Sequence, residues 1–162
     1  MKREPFLELG ASAVPHPKAT HAIDRDSKSK TVHYADTLYR EEGETTKEKF
    51  ERKLKAMDYR FGFNYNSQKF PWPNNSFKVV YSKASLGHYG NPSNAFKESY
   101  RVLKHGGKLI IDNFGGTETK IIKLRKMIAN AGFSNITIKL DKDAHIYNGE
   151  KDYSGKLTAT KP

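Results

Sequence analysis

Residues Phe70 to Phe114, FPWPNNSFKVVYSKASLGHYGNPSNAFKESYRVLKHGGKLIIDNF, contain the pattern that decides the fold of this chain. Phe77 to Tyr81 is a short run of aromatic and β-branched residues, which is typical of a buried strand. Apolar residues then recur at helical spacing from Pro92 to Lys104, and the pair Gly106-Gly107 predicts the end of that helix. Lys108 to Phe114 is predicted to be a second strand. This order of strand, helix and strand favours a mostly parallel sheet.

Two more strands are predicted near the start of the chain. Phe6 to Leu9 is followed by the turn residue Gly10, and His21 to Asp24 is a second short strand that ends in an acid. The connection between them contains two prolines, so it is too short and too broken for a full helix. We expect a loop there with at most one turn.

The middle of the chain is less regular. From Asp26 to Thr46 the sequence is polar, and residues 27–46 are predicted to be a mobile segment that acts as a lid or is simply disordered. Thr46 to Met57 has helical spacing of its apolar residues and a threonine cap. Arg60 to Tyr65 alternates aromatic residues with others, which predicts a strand.

The last third of the chain predicts one helix and two strands. Thr117 is placed to cap a helix whose apolar residues continue to Ala131, and Gly132 ends it. Ile136 to Ile138 and Lys156 to Thr160 alternate as strands with no helix between them. This predicts an antiparallel hairpin at one edge of the sheet, and the fold class is α/β.

Composition limits the kind of protein this is. At 162 residues the chain has the length of one domain, and we predict a single domain over residues 1–162. No window reaches the roughly 18 apolar residues needed to cross a bilayer, and no signal-peptide pattern is seen, so we predict a cytoplasmic protein without membrane contact. Cysteine is absent, which excludes disulfides, zinc-thiolate sites and thiol nucleophiles. No metal site is predicted.

The chain is strongly basic, with a formal net charge of +11. Such a charge attracts anions, and nucleic acid is the commonest large polyanion in a cytoplasm. The basic residues recur along three segments that look helical or border helices, often beside glutamate: Lys47 to Arg60, Lys97 to Lys108 and Lys120 to Lys126. A nucleic-acid or other anionic partner and a solvated, partly ion-paired surface both stay open.

The stretch quoted above resembles the second half of class I S-adenosylmethionine-dependent methyltransferases, in which a proline-bounded loop and a strand of the form NSFDVVYS precede a helix ending YRVLKPGG. The resemblance continues through LELGA at the start and NAGFSNITI near the end, so it covers nearly the whole chain. It implies a Rossmann-like, mostly parallel seven-stranded sheet of minimal size, with an antiparallel last strand and helices on both faces. It also implies S-adenosyl-L-methionine as cofactor, bound at the carboxyl ends of the first strands, where open α/β sheets generally bind ligands.

The first motif of that family falls on the turn after the first strand. It is Gly10-Ala11-Ser12 in this sequence, with one glycine where relatives have two or three. The resemblance implies that Gly10 lets the backbone approach the methionine part of the cofactor, while Ala11 and Ser12 are small enough to preserve access. Glu8 would hold nearby amides or water beneath it. A plain strand and turn is the alternative.

Later positions complete the implied cofactor site. Asp24 matches the acid that accepts hydrogen bonds from both ribose hydroxyls, with Arg25 beside it, and the alternative is a turn-forming aspartate. Asn66, where many relatives have aspartate, and Ser67 would contact the adenine; a plain Asn-Ser turn is equally open. Ser82 would lie beside the methionine part or the reactive sulfonium.

Two aromatic side chains near the implied substrate side have open roles. His88 stands where the family frequently has histidine, and as a general base it would accept a proton from a hydroxyl or amine substrate. A structural histidine packed under the next helix is the alternative. Trp72 either stacks on a planar substrate or plugs the edge of the sheet, and plugging is favoured.

The resemblance therefore implies methyl transfer from S-adenosyl-L-methionine to an oxygen or nitrogen nucleophile of an unidentified substrate. The adenine-N6 motif of an acid or amide followed by two prolines is missing after the fourth strand, and a cytosine-C5 enzyme needs a cysteine, so those two DNA reactions are disfavoured. The alternative is a catalytically silent protein of this fold that binds nucleic acid or a partner protein. A dinucleotide-dependent oxidoreductase is a poorer match because no G-x-G-x-x-G precedes a helix. A dimer is allowed, but nothing in the sequence requires one.

Overall fold

The computed structural model describes residues 3–12, 14–38, 45–85 and 91–162. Its helices are α1 (Lys28–Leu38), α2 (Thr46–Ala56), α3 (Ser93–Val102) and α4 (Glu118–Asn130). Thr45 caps α2 in a reciprocal hydrogen-bonded box with Glu48. The longest of these helices has 13 residues, and none in the described part of the chain is long and apolar enough to cross a membrane.

The strands form one mixed sheet. In chain order they are β1 (Phe6–Leu9), β2 (His21–Ile23), β3 (Asp58–Arg60), β4 (Phe77–Lys83), β5 (Leu103–Gly116), β6 (Ser134–Leu140), β7 (His145–Tyr147) and β8 (Glu150–Thr160). In space they follow the order β3-β2-β1-β4-β5-β8-β6, and β7 pairs with β8. The first five run parallel, while β8 is antiparallel to both β5 and β6. The α/β class, the mostly parallel Rossmann-like sheet and the antiparallel edge are therefore confirmed.

The register of the strands separates the sheet into two faces. Leu7, Val80 and Leu109 are paired across β1, β4 and β5, and together with Ile111 and Leu157 they form the core face, which packs against α3 and α4. Phe6, Glu8, Val79, Tyr81 and Ile110 alternate with them and form the opposite face. The helices α1 and α2 pack on that opposite face near β3, where Phe50 packs edge-on against Tyr59. Helices thus lie on both sides of the sheet, as predicted, with α1 and α2 confined to the region near β3.

The pair Gly106-Gly107 is required by the geometry at the start of β5. Gly106 has φ +75°, a conformation that favours glycine. A Cβ atom on Gly107 would lie 2.7 Å from the carbonyl oxygen of Lys104 and 3.1 Å from that of Lys78. The turn that ended the predicted helix is therefore also a close approach between β4 and β5.

Arg101 holds the proline-bounded loop that opens the quoted stretch. Its guanidinium donates to the carbonyl oxygens of Phe70 (3.0 Å) and Trp72 (2.9 Å) and forms a two-point pair with Glu98, with Nη2 to Oε2 at 2.6 Å. Glu98 in turn accepts from the Phe70 N–H at 2.8 Å. Burial pushes the pKa of Glu98 up, but the Arg101 and Phe70 donors outweigh it and lower that pKa. Trp72 packs edge-on against Phe77, which fits its plugging role.

The structure corrects two predicted elements and adds a strand. Within the polar segment after Asp26 it shows α1, because Val32 and Ala35 bury a small apolar stripe against Phe50. The strand predicted over residues 60–65 is shifted to β3, and the alternating rings instead fill a loop in which Phe63 packs edge-on against Phe70 at 5.5 Å. The strand β7 was not predicted.

Candidate functional site

A cavity of about 410 Å³ opens at the carboxyl ends of β1, β2 and β4. In the sheet, β1 has β2 on one side and β4 on the other, so the strand order reverses between β1 and β4. Open α/β sheets bind ligands at such a switch point. Four of the predicted cofactor residues line the cavity: Gly10, Ser12, Asp24 and Arg25.

The turn after β1 is anchored by a tyrosine hydroxyl. Gly10 has φ +66°, and its N–H lies 2.9 Å from both the carbonyl oxygen of Ile23 and the hydroxyl of Tyr65. That hydroxyl donates in turn to the carbonyl oxygen of Ile23 at 2.8 Å. The Tyr65 side chain is 4% exposed. Tyr65 therefore ties the first turn of the site to the end of β2.

Replacing Tyr65 by phenylalanine is expected to lower the free energy of unfolding by about 1 kcal/mol, because the Ile23 carbonyl loses a buried donor. Urea denaturation measures this difference. Tyr147→Phe, at a side chain that is 70% exposed, is the matched control and should change nothing. Equal stability of the two variants would show that the Tyr65 hydroxyl does not support the turn.

Asp24 organises the other wall of the cavity. Its Oδ2 accepts from the backbone N–H of Ser12 at 2.7 Å, and its Oδ1 accepts from the N–H of Asp26 at 2.9 Å. Ser12 has φ +51°, an unusual conformation for a residue with a side chain, and the carboxylate stabilises it. The Asp24 side chain is 7% exposed and lines the cavity. The carboxylate thus shapes the first loop as well as facing the space where a ligand fits.

The hydroxyl of Tyr59 also approaches Asp24. It lies 2.9 Å from the carbonyl oxygen of Ser12 and 3.3 Å from Asp24 Oδ2. Burial, and then the negative charge of Asp24, raise the pKa of Tyr59, so this hydroxyl stays a donor. A carboxylate has about four acceptor positions. The N–H groups of Ser12 and Asp26 occupy two of those of Asp24, and the Tyr59 hydroxyl occupies a third when it donates to the carboxylate. Two ligand hydroxyls would both fit when Tyr59 donates to Ser12 alone.

Glu8 lies on the opposite face of the sheet beneath the site, not on the cavity wall. It is 4% exposed, and its Oε2 accepts from the backbone N–H of His16. Burial raises the pKa of Glu8 to about 7, although the His16 N–H and the charges of Lys53 and Lys83 pull it down. Glu8 does hold a nearby amide, and it is a buried carboxyl that titrates close to neutral pH.

The remaining predicted residues lie in different surroundings. Ala11 is buried, whereas Asn66 and Ser67 are exposed and do not line the cavity. The Asn66 side chain accepts from the N–H of Asn91 at 3.0 Å. Ser82 is buried, and its hydroxyl pairs with that of Ser85, which lines the cavity. His88 lies outside the described residues.

The cavity also contains residues for which the sequence held little signal. Lys30 and Tyr34 reach it from α1, Lys83 is the last residue of β4, and Ala84 follows it. Lys30 forms an ion pair with Asp26 at 3.2 Å and lies 5.7 Å from the Tyr34 ring centre. Both residues belong to α1, a helix that the polar sequence of this segment does not indicate. Across the described ranges, no group of three or more histidine and acidic side chains is arranged to hold a metal ion.

Comparisons with known proteins agree with the fold of the chain. A family model described as "Methyltransferase domain" matches residues 19–111, more than half of the chain. The uncharacterized protein YafE of Escherichia coli (strain K12) is 35% identical over 60 residues, which is 37% of this chain and 28% of YafE. The ubiquinone/menaquinone biosynthesis C-methyltransferase UbiE of Pseudoalteromonas translucida is 32% identical over 57 residues, 35% of this chain and 23% of UbiE. Each match therefore spans only about a quarter of the relative.

Solved structures share the fold at low identity. Phosphoethanolamine N-methyltransferase 2 of Haemonchus contortus, crystallised with phosphomonomethylethanolamine and S-adenosylhomocysteine, matches all of this chain and 50% of its own, with 16% identity and a TM-score of 0.65. YcgJ of Bacillus subtilis matches over 98% and 92% of the two chains, with 13% identity and a TM-score of 0.61. The [4+2]-cyclase SpnF matches over 98% and 75%, with 18% identity and a TM-score of 0.65.

Proposed function

Because the chain belongs to the methyltransferase domain family, we propose that it binds S-adenosyl-L-methionine in the cavity at the carboxyl ends of β1, β2 and β4 and transfers its methyl group to an oxygen or nitrogen nucleophile. The observation that carries this proposal is the position of the buried Asp24 carboxylate at the cavity wall, beside the turn at Gly10. The two lie at the switch point of a parallel sheet, which is where the fold places ligands.

The residues present fit this cofactor. The cavity volume of about 410 Å³ lies within the usual range of small-molecule sites. Asp24 keeps acceptor capacity for ribose hydroxyls once Tyr59 donates to the Ser12 carbonyl. Acidic Asp24 and Asp26 and basic Arg25, Lys30 and Lys83 share the lining, so both the positive and the negative groups of an amino-acid moiety find partners.

The work of the protein in such a reaction is mainly positioning. The cofactor supplies a methyl group that is already activated by its sulfonium. The chain's task is to hold the acceptor atom in line at about 3 to 3.5 Å and to exclude water. We assign Asp24 to the ribose and Gly10 to the methionine part. Asn66 and Ser67 lie outside the cavity lining, and we assign them to an adenine that projects beyond it. Glu8, Ala11, Arg25 and Ser82 support those contacts, and His88 is the proposed general base.

Replacing Asp24 by alanine is expected to weaken the binding of S-adenosylhomocysteine by about 1 to 3 kcal/mol, roughly 5- to 150-fold in Kd. The variant loses the ribose acceptor and the support of the Ser12 N–H. Titration calorimetry measures the affinity, and Asp143→Ala, at an exposed carboxylate in the loop before β7, is the control. Unchanged affinity in Asp24→Ala would show that the ribose assignment is wrong, and no heat from the parent protein at millimolar ligand would defeat the enzyme proposal.

The methyl acceptor is best found with a labelled donor. Tritiated S-adenosylmethionine is offered to RNA, protein and metabolite fractions. The reaction is then repeated with a 13C-methyl donor on the fraction that became labelled. The carbon chemical shift of the product separates O-methyl, N-methyl and C-methyl groups. A C-methyl product would overturn the oxygen or nitrogen assignment and would match the reaction named for UbiE.

A second candidate function is a catalytically silent protein of this fold that binds nucleic acid or a partner protein. The observation that favours it is that the Asp24 acceptors already serve Ser12, Asp26 and Tyr59. The single-glycine turn and the net charge of +11 point the same way. The neighbour SpnF, named as a cyclase, shows that this fold also occurs in proteins named for other reactions. The calorimetric titration separates the two candidates.

We also propose that residues 27–46 act as a lid, since α1 brings Lys30 and Tyr34 to the cavity. Bound cofactor is expected to slow limited trypsin digestion after Lys28 and Lys30 several-fold, because a closed lid opens less often. Cleavage after Lys142, between β6 and β7, is the internal control. Equal protection at all three sites would indicate general stabilisation, and no protection at Lys28 and Lys30 would count against the lid.

A further inference from the structure

A second and larger cavity, of about 720 Å³, lies on the opposite face of the sheet. Its floor consists of Phe6, Val79, Tyr81 and Ile110, from β1, β4 and β5. We call this the open groove. None of the proposed cofactor or acceptor chemistry uses it, so an inference about the groove does not rest on the proposed function.

The open groove lies where a parallel sheet ordinarily has a cover. Strands that pair in parallel on both sides are normally buried on both faces, and the connection between two parallel strands usually supplies a helix. The core face of β4 and β5 has α3 and α4, but the described residues of the β1–β2 connection form no helix. That connection packs Ala19 beside Phe6 and Tyr81 and lines the groove with His16, Pro17 and Lys18. The His16 ring stacks on Phe6 at 4.9 Å and lies 4.7 Å from Tyr81. Val79 and Ile110 stay half-exposed.

The rim of the groove is positively charged. Arg3, Lys18, Lys78 and Lys156 line it together with Glu4 and Asp112. Glu4 pairs with Lys78 at 2.6 Å, and Asp112 accepts from the Tyr81 hydroxyl at 3.1 Å. Within the described ranges, no carboxylate lies at ion-pair distance from Arg3, Lys18 or Lys156. With four cationic side chains against two carboxylates, the rim carries an excess of two positive charges around an aliphatic and aromatic floor.

We infer that the open groove binds an amphipathic helix of a partner polypeptide, with its apolar face on Val79 and Ile110 and acidic side chains toward Arg3, Lys18 and Lys156. A helix about 10 Å wide is the element that parallel strands accept as a cover. A second copy of this chain is disfavoured because it carries the same net charge of +11 and the same cationic rim. Nucleic acid is disfavoured because Phe6 and Tyr81 are 9% and 7% exposed, so their faces are not free to stack on bases.

The test uses a defined probe. A fluorescein-labelled helical peptide of about 18 residues, long enough to be helical, presents leucines on one face and glutamates beside them. A matched peptide has lysine at every glutamate. Fluorescence anisotropy at low salt measures binding of both to the full chain. We expect the glutamate peptide to bind at least tenfold more tightly than the lysine peptide.

Variants locate the binding. The double variant Lys18→Glu, Lys156→Glu changes only exposed rim residues. It is expected to raise the Kd for the glutamate peptide at least tenfold. The control double variant Lys123→Glu, Lys126→Glu on α4 is expected to leave that Kd unchanged. Ile110→Glu should abolish binding, provided that far-UV circular dichroism shows a folded chain. Equal affinity for the two peptides, no binding of either, or no effect of the rim variant overturns the inference. So does a dimer in sedimentation equilibrium that Ile110→Glu dissociates, or groove-dependent binding of labelled oligo(U).

Discussion

Replacing Arg101 by leucine is expected to lower the free energy of unfolding by about 3 kcal/mol, as expected when one partner of a largely buried ion pair is removed. The side chains of Arg101 and Glu98 are 19% and 13% exposed, so the Glu98 carboxylate would be left poorly solvated. The carbonyl oxygens of Phe70 and Trp72 lose their donor at the same time. Urea denaturation at neutral pH measures the change.

Two control variants separate the effect of the Arg101–Glu98 pair and its carbonyl hydrogen bonds from the effect of an ordinary surface charge. Arg125→Leu, at an exposed position of α4, should change the stability by less than about 0.5 kcal/mol. Arg101→Lys should recover only part of the loss, since lysine lacks the planar fork that reaches two carbonyls and a carboxylate together. A loss in Arg101→Leu no greater than in Arg125→Leu would mean that the loop is held by its aromatic packing alone.

Replacing Glu8 by glutamine is expected to remove a pH dependence of stability worth about 3 kcal/mol. Burial raises the pKa of Glu8 from 4.5 to about 7 in the folded protein. Between these values the folded state binds more protons than the unfolded state, so the stability that this group contributes is complete below pH 4.5 and is lost as the pH rises through 7. Glutamine keeps an acceptor for the His16 N–H and does not titrate.

Unfolding free energies of the parent protein and of Glu8→Gln, measured from pH 4.5 to pH 8, give the comparison. The unfolding free energy of Glu8→Gln, relative to that of the parent, should rise steadily up to about pH 7. Above that pH the difference between the two free energies should stay constant. Glu118→Gln, at an exposed residue in the first turn of α4, is the control and should run parallel to the parent. A constant difference between Glu8→Gln and the parent would show that Glu8 is ionised throughout this range in the folded state.

Much of the fold could be predicted because its signals are local. The strands β4 and β5 and the helix α3 each show their own period and end at turn residues, and the lack of a helix between Ile138 and Lys156 correctly indicated an antiparallel pair. The loop between β1 and β2 was likewise predicted from two prolines. Such features depend on neighbours within a few positions, so the sequence displays them directly.

Other elements depended on partners far away in the chain. The alternation in residues 60–65 resembles a strand, but Phe63 and Tyr65 pack within a loop against Phe70. The polar segment before Leu38 becomes α1 because Ala35 meets Phe50. Neither pairing leaves a periodic signal, since each relies on contacts that form only once the sheet exists.

The sequence by itself determined the α/β order of strands and helices, the membership of a methyltransferase family and the position of Asp24 at the end of β2. The tertiary structure alone decided what surrounds that carboxylate: Tyr65 ties the turn at Gly10 to β2, and Tyr59 shares the acceptors of Asp24. It alone showed that Arg101 closes the Phe70 loop and that a groove lies over Val79 and Ile110 on one face of the sheet. The reason is physical: hydrogen bonds and packing between residues 20 to 60 positions apart follow from how the sheet brings them together, not from their spacing in the chain.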